Sequence, residues 1–159
     1  MAAKNWLGLI FIILVIMAGV RFWVSPELKG PDIPKTEPQK VPISEAYLNL
    51  PPPGHSTTAA YLKIANLDQA PLTITGFDSS KATRVELHEH IHADGMMKMR
   101  KVDQLTLSGM QAEVFKPMGY HLMVFGLSDD VVAGQSVEFT ATMASSERIV
   151  FQAQARGLE

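Results

Sequence analysis

The chain has 159 residues, is 47% hydrophobic and 19% charged, and carries a formal net charge of −2. That suits one folded domain plus an appendage, and the lack of a basic run excludes a nucleic-acid binder that works by neutralising phosphates. The absence of cysteine excludes disulfides, thiolate zinc sites and blue-copper centres, which need a Cys ligand.

The first element predicted is an apolar helix over 1–24. Lys4 precedes the run Trp6 to Val20, and after Arg21 the run continues to Val24. Its length just spans a bilayer, with Arg21 snorkelling and Trp6 and Trp23 at the two interfaces. The expectation is an uncleaved signal anchor. A cleaved signal peptide is the alternative, but no small-x-small site follows the core, the nearest candidate being near Ala18 and Gly19. Either way the rest of the chain is exported. Residues 25–42, "SPELKGPDIPKTEPQKVP", form a Pro-rich spacer that holds a domain away from the membrane.

From Ile43 to about residue 157 the pattern has period two. The segments "AYLNL", "TTAAYLKIAN", "PLTITGF", "TRVELHEH", "MMKMRKV", "QAEVFKP", "YHLMVFGL", "SVEFTATM" and "RIVFQAQA" read as strands. Turn residues separate many of them, as in "PPPGHS", "NLDQAP", "HADG" and "VAGQ". Short strands without helices predict an all-β, antiparallel sandwich or barrel. Val85, Leu87 and Ile91 share one parity and should point inward, while Glu86, His88, His90 and His92 share the other. "HADG" reads as a hairpin turn, which sets the His-rich and Met-rich stretches on neighbouring strands.

One stretch, "HEHIHADGMMKMR", gathers His88, His90, His92, Met96, Met97 and Met99. A later strand adds His121 and Met123, two apart and so on one face. His88, Met99, His121 and Met123 together offer two imidazoles and two thioethers from three strands. Thioethers are soft, neutral donors. They are poor ligands for zinc, calcium or magnesium and favour Cu(I) in a thiol-free site. Neutral donors hold a monovalent ion without building up negative charge, so a partner with Cys ligands can extract it. Taken singly, His121 reads as a structural residue and Met123 as core filler; the combination carries the metal expectation. His90, His92, Met97 and Met118 are left open as helpers. His55 reads as an exposed loop residue, and no serine sits in a nucleophile elbow.

The spacing from His88 through ten residues to Met99, twenty-one to His121 and one to Met123 resembles the H(M)-x10-M-x21-H-x-M motif of the PCuAC family of periplasmic copper chaperones. "VELHEH", "DGMMKMR", "GYHLMVFGL" and "TTAAYLKIAN" are similar to that family too, and the likeness covers about Ile43 to Gln154. The resemblance implies a cupredoxin-like β-sandwich that binds Cu(I) near one rim through His88, Met99, His121 and Met123. It implies delivery of copper to the binuclear site of cytochrome c oxidase during assembly, beside a thiol-bearing copper chaperone, with no reaction catalysed. The partner implied is such a copper acceptor, for a monomeric domain; the inner membrane, on its periplasmic side, is the partner the N-terminal helix adds, where the family form diffuses freely. Met118 stands where the family commonly has glycine. The His- and Met-rich tail of many members does not follow "QARGLE", so one copper per domain is expected. An anchor would confine the protein near its target and raise its effective concentration.

Other functions use the same residues differently. Copper storage or resistance needs the same site without a dedicated acceptor. A cupredoxin-type electron carrier needs the Cu–thiolate bond that no residue here supplies. A zinc module on His88, His90 and His92 meets a geometric obstacle, since positions i, i+2 and i+4 spread over about 13 Å of strand.

Overall fold

Apolar and polar residues alternate almost without exception in the last strand, whose inward positions Ile149, Phe151, Ala153 and Ala155 are all buried. The same period sets ten strands: β1 (Ile43–Asn49), β2 (Thr58–Ala65), β3 (Leu72–Asp78), β4 (Arg84–Ala93), β5 (Met96–Lys101), β6 (Leu105–Leu107), β7 (Ala112–Val114), β8 (Tyr120–Phe125), β9 (Ser136–Met143) and β10 (Arg148–Arg156). The structure, a computed structural model, describes residues 41–93 and 95–157. The expected helix over 1–24 and nearly all of the spacer over 25–42 lie outside the described residues. Among the described residues no helix is long and apolar enough to cross a membrane.

The all-β expectation holds. Neighbouring strands run β5-β4-β8-β2-β1-β10-β9-β3-β6, and a further β3–β4 pairing at Phe77 and Val85 closes the sheet on itself. The short β7 pairs beside β8 on the same edge of β2. The sheet departs from a purely antiparallel one at β1 and β10, which pair in parallel with Tyr47 opposite Gln154. It also holds a strand that the sequence reading passed over, β6, which pairs with β3 through Leu105 and Leu107.

Leu48, Leu62, Ile64, Leu122, Val124 and Phe139 fill the interior and are at most 2% exposed. Each contributes roughly 1.5–3 kcal/mol by leaving water. Asn66, 1% exposed, is one of two buried polar residues among those described, the other being His121. Its Nδ2 donates to the carbonyls of Ala70, Ser108 and Leu107 at 2.8, 3.1 and 3.3 Å, and its Oδ1 accepts from the Asp68 amide at 3.1 Å. One side chain thus ties the 66–70 turn to the segment after β6. Gly109 lies in that segment, where a methyl group would come within 2.0 Å of the Gln69 carbonyl oxygen.

Candidate metal centre

Register decides which outward side chains meet. On β4 and β8, Leu87 faces Leu122 and Val85 faces Val124, and all four are buried inward. The alternate positions therefore point outward. There His88 stands opposite His121 and Glu86 opposite Met123. On the other edge of β4, β5 sets Met99 opposite His90, Met97 opposite His92 and Lys101 opposite His88. All these residues share one outer face. The structure so brings His88, Met99, His121 and Met123 to one region of three adjacent strands, with His90 among them.

The imidazoles are held in specific tautomers. His88 Nε2–H donates to Glu86 Oε2 at 3.0 Å, and an ionised carboxylate can only accept. His121 Nδ1–H donates to the Gly119 carbonyl at 3.1 Å. In a neutral ring the remaining nitrogen then carries a lone pair. Those nitrogens, His88 Nδ1 and His121 Nε2, are buried without a hydrogen-bond partner, as is His90 Nδ1. Metal-binding histidines are oriented in this way, by a carboxylate or a carbonyl on the far nitrogen. The ring of His121 lies 6.0 Å from that of His88 and 4.9 Å from that of His90.

The face is graded from buried to open. His121 is 2% exposed, whereas Met99 is 49% exposed. Tyr61 closes the β2 side with its ring 6.5 Å from His121, and Tyr47 lies 5.1 Å beyond it. Glu86 is partly buried and also meets Arg84 at 3.0 Å and Lys101 at 3.3 Å. The hydrogen bond from His88 lowers its pKa most, followed by contacts with Lys101 and Arg84.

Burial holds the His121 pKa below the ordinary value, helped by the neighbouring His90 and His88 and opposed by the bond to Gly119. An unfolded chain then binds the proton more readily than the folded one. The His121 contribution to stability is complete above an unfolded pKa of about 6.5 and is lost as pH falls through the lower folded pKa. Metal-free protein is expected to lose melting temperature on going from pH 7 to pH 5. A His121→Asn variant should show a shallower loss in the same thermal melts.

The remaining sequence candidates separate. His92 Nδ1 lies 3.2 Å from Met97 Sδ, beside the turn of the β4–β5 hairpin. Met118 is 63% exposed, in a turn with φ of 66° that leads into β8. Glu89 points to the opposite face and pairs with Arg100, whose Nε lies 3.0 Å from its carboxylate. His55 lines a separate cleft with Pro51, Pro53 and Leu127. Among the described residues no three His, Asp or Glu side chains are arranged to hold a metal ion. Glu86, Tyr61 and Gly119 were not singled out in the sequence for this role, because only the β4–β8 and β2–β8 registers bring them in. His90 was marked by parity alone.

The fold is that of PCuAC domains. The copper-bound PCuAC domain from PmoF2 superposes with a TM-score of 0.63 at 18% identity, covering 76% of this chain and 95% of that one. The Cu(I) form of DR1885 from Deinococcus radiodurans gives 0.61 at 26% identity, covering 82% and 89%. The sequence model described as "Putative lipoprotein LpqE-like" matches residues 41–155. The chain belongs to this LpqE-like, PCuAC-related family. The protein RP573 of Rickettsia prowazekii is 30% identical over 86 residues, which are 54% of this chain and 48% of that protein. The chain so matches about half the length of that relative.

Proposed function

We propose that this protein is an exported copper chaperone that binds one Cu(I) through His88, Met99, His121 and Met123. The observation that carries this is the pair of facing imidazoles on β4 and β8. Each presents a buried, unpartnered nitrogen, and each is fixed in tautomer by a bond on its other nitrogen. Thioethers on β5 and β8 complete a soft, neutral donor set that suits Cu(I). A relative of the same fold, DR1885, has been solved with Cu(I).

The activity is binding and transfer of cargo, with no covalent bond made or broken in a substrate. The acceptor we propose is a protein of the cytochrome c oxidase copper site or a thiol-bearing chaperone that serves it. The location is the periplasmic face of the inner membrane. The family is described as lipoprotein-like, which fits membrane association. These 159 residues hold no cysteine to carry an acyl chain, so the attachment we propose is the apolar segment Trp6 to Val24, with residues 25–42 as spacer and 43–157 as the copper domain.

Anaerobic titration of the full chain in detergent against a chromophoric Cu(I) chelator tests the site. The expected result is one tight Cu(I) per chain, lost in the Met99→Ala, Met123→Ala double variant and unmatched by Zn(II). Weak binding that ignores both methionines would sink it. Deletion in the native host then separates delivery from storage. Loss of oxidase activity at limiting copper marks delivery, whereas copper sensitivity alone marks buffering.

A further inference from the structure

We propose that His90 is a fifth donor of this site, forming with His121 and Met99 its outer, solvent-facing half. The inference rests on the copper reading above and assigns a role that the four-residue spacing leaves out.

Register makes the first case. Met123 stands opposite Glu86, and Met99 stands opposite His90. The two methionines therefore occupy diagonal corners of the β8–β4–β5 ladder. Two strand spacings and four residues of rise put their Cα atoms roughly 16 Å apart on a flat sheet. A metal–sulfur bond is about 2.3 Å. Sharing one ion needs both side chains extended toward the middle and the sheet's twist to shorten that span, and Met99 reaches inward past His90, its direct cross-strand neighbour. His90 is placed to hold an ion on that approach.

The second case is the environment of the ring. His90 Nδ1 is buried and has no hydrogen-bond partner. A buried polar atom without a partner is costly unless something else uses it. Across the ladder on β8, the His90 amide donates to the Gly119 carbonyl at 3.3 Å. The His90 ring lies 4.9 Å from that of His121, closer than His88 at 6.0 Å. His92, the next residue of the same parity, has no such setting. It is exposed and lies against Met97.

His121 is then common to two imidazole pairs, one with His88 beside Met123 and one with His90 beside Met99. An ion moving between the halves exchanges neutral donors while its charge and oxidation state stay the same. The outer half faces the exposed hairpin, the side from which an acceptor has access.

The test uses the full chain in detergent, loaded with Cu(I), with X-ray absorption to count imidazoles and chelator competition for affinity. The variants are His90→Asn, His90→Met and, as a control on the same strand face, His92→Asn. His90→Asn is expected to weaken binding at least ~10-fold, the lower end of what even outer partners of a metal contribute, and to leave the remaining copper in the inner half, on His88, His121 and Met123. His90→Met should recover affinity through a thioether, and His92→Asn should match the wild type. If His90→Asn keeps the wild-type affinity while the Met99→Ala, Met123→Ala variant loses copper, His90 is no donor and the chaperone site stands without it. If the wild type itself binds Cu(I) weakly, both fall together.

Discussion

A His121→Leu protein is expected to lose at least ~100-fold in Cu(I) affinity, beyond the effect of losing an outer partner, while its metal-free form still folds. His121 is the most buried of the proposed donors, at 2% exposure, and it neighbours both His88 and His90. Leucine is apolar and of similar size. It removes the unpartnered Nε2 and one of the two donors to the Gly119 carbonyl, which keeps the His90 amide. Losing one of two donors costs less than the about 1–3 kcal/mol of a wholly unsatisfied acceptor, and burying leucine in place of a desolvated imidazole offsets it. The net change in apo stability should stay within about 2 kcal/mol. Chelator competition reads the first effect and a thermal melt of metal-stripped protein the second. Near-wild-type copper affinity in a folded His121→Leu protein would remove this residue from the site.

The largest loss of stability is expected far from the metal face. Asn66→Ala takes away the donor for three carbonyls and the acceptor for the Asp68 amide. Only the bond to the Leu107 carbonyl is fully buried; the other three are part-buried where the 66–70 turn meets the segment after β6. At about 1–3 kcal/mol for a buried group left without a partner and less for the part-buried ones, a total of about 2–3 kcal/mol is expected. The backbones are in close contact, as the 2.0 Å approach of a methyl at Gly109 to Gln69 indicates, so relaxation is limited. Urea unfolding should show a lower midpoint with an unchanged slope. The folded fraction should still bind copper with wild-type stoichiometry, because Asn66 lies outside the β4–β5–β8 face.

The contrast between these two residues shows what the sequence could tell. Strands whose alternation runs for seven to ten residues, such as β4 and β10, were visible because one face of each is buried. β6 was not, because three residues between "VDQ" and "SG" give too short a run for a period to be read. Closure through β3 and β4 and the parallel pairing of β1 with β10 join segments far apart in the chain, and local patterning does not encode them. At the metal face, parity put His88 and His90 on one side and His121 and Met123 on one side. Which of them stand opposite each other depends on the β4–β8 and β4–β5 registers. That is why Glu86, Gly119 and Tyr61 were silent, and why His90 looked no different from His92. Asn66 was silent for a related reason: its partners are carbonyls, which every residue carries.

The parallel pairing of β1 with β10 also has a mechanical consequence. Tyr47, Leu48 and Asn49 advance alongside Gln154, Ala155 and Arg156 in the same direction. The first strand therefore enters the domain at the opposite end of this ladder from where the last one leaves. A pull on the two ends drags these strands past each other lengthwise and strains all the bonds between them at once. An antiparallel pair loaded at one end would instead peel bond by bond. A domain strung between two attachments through these strands would resist the load in shear.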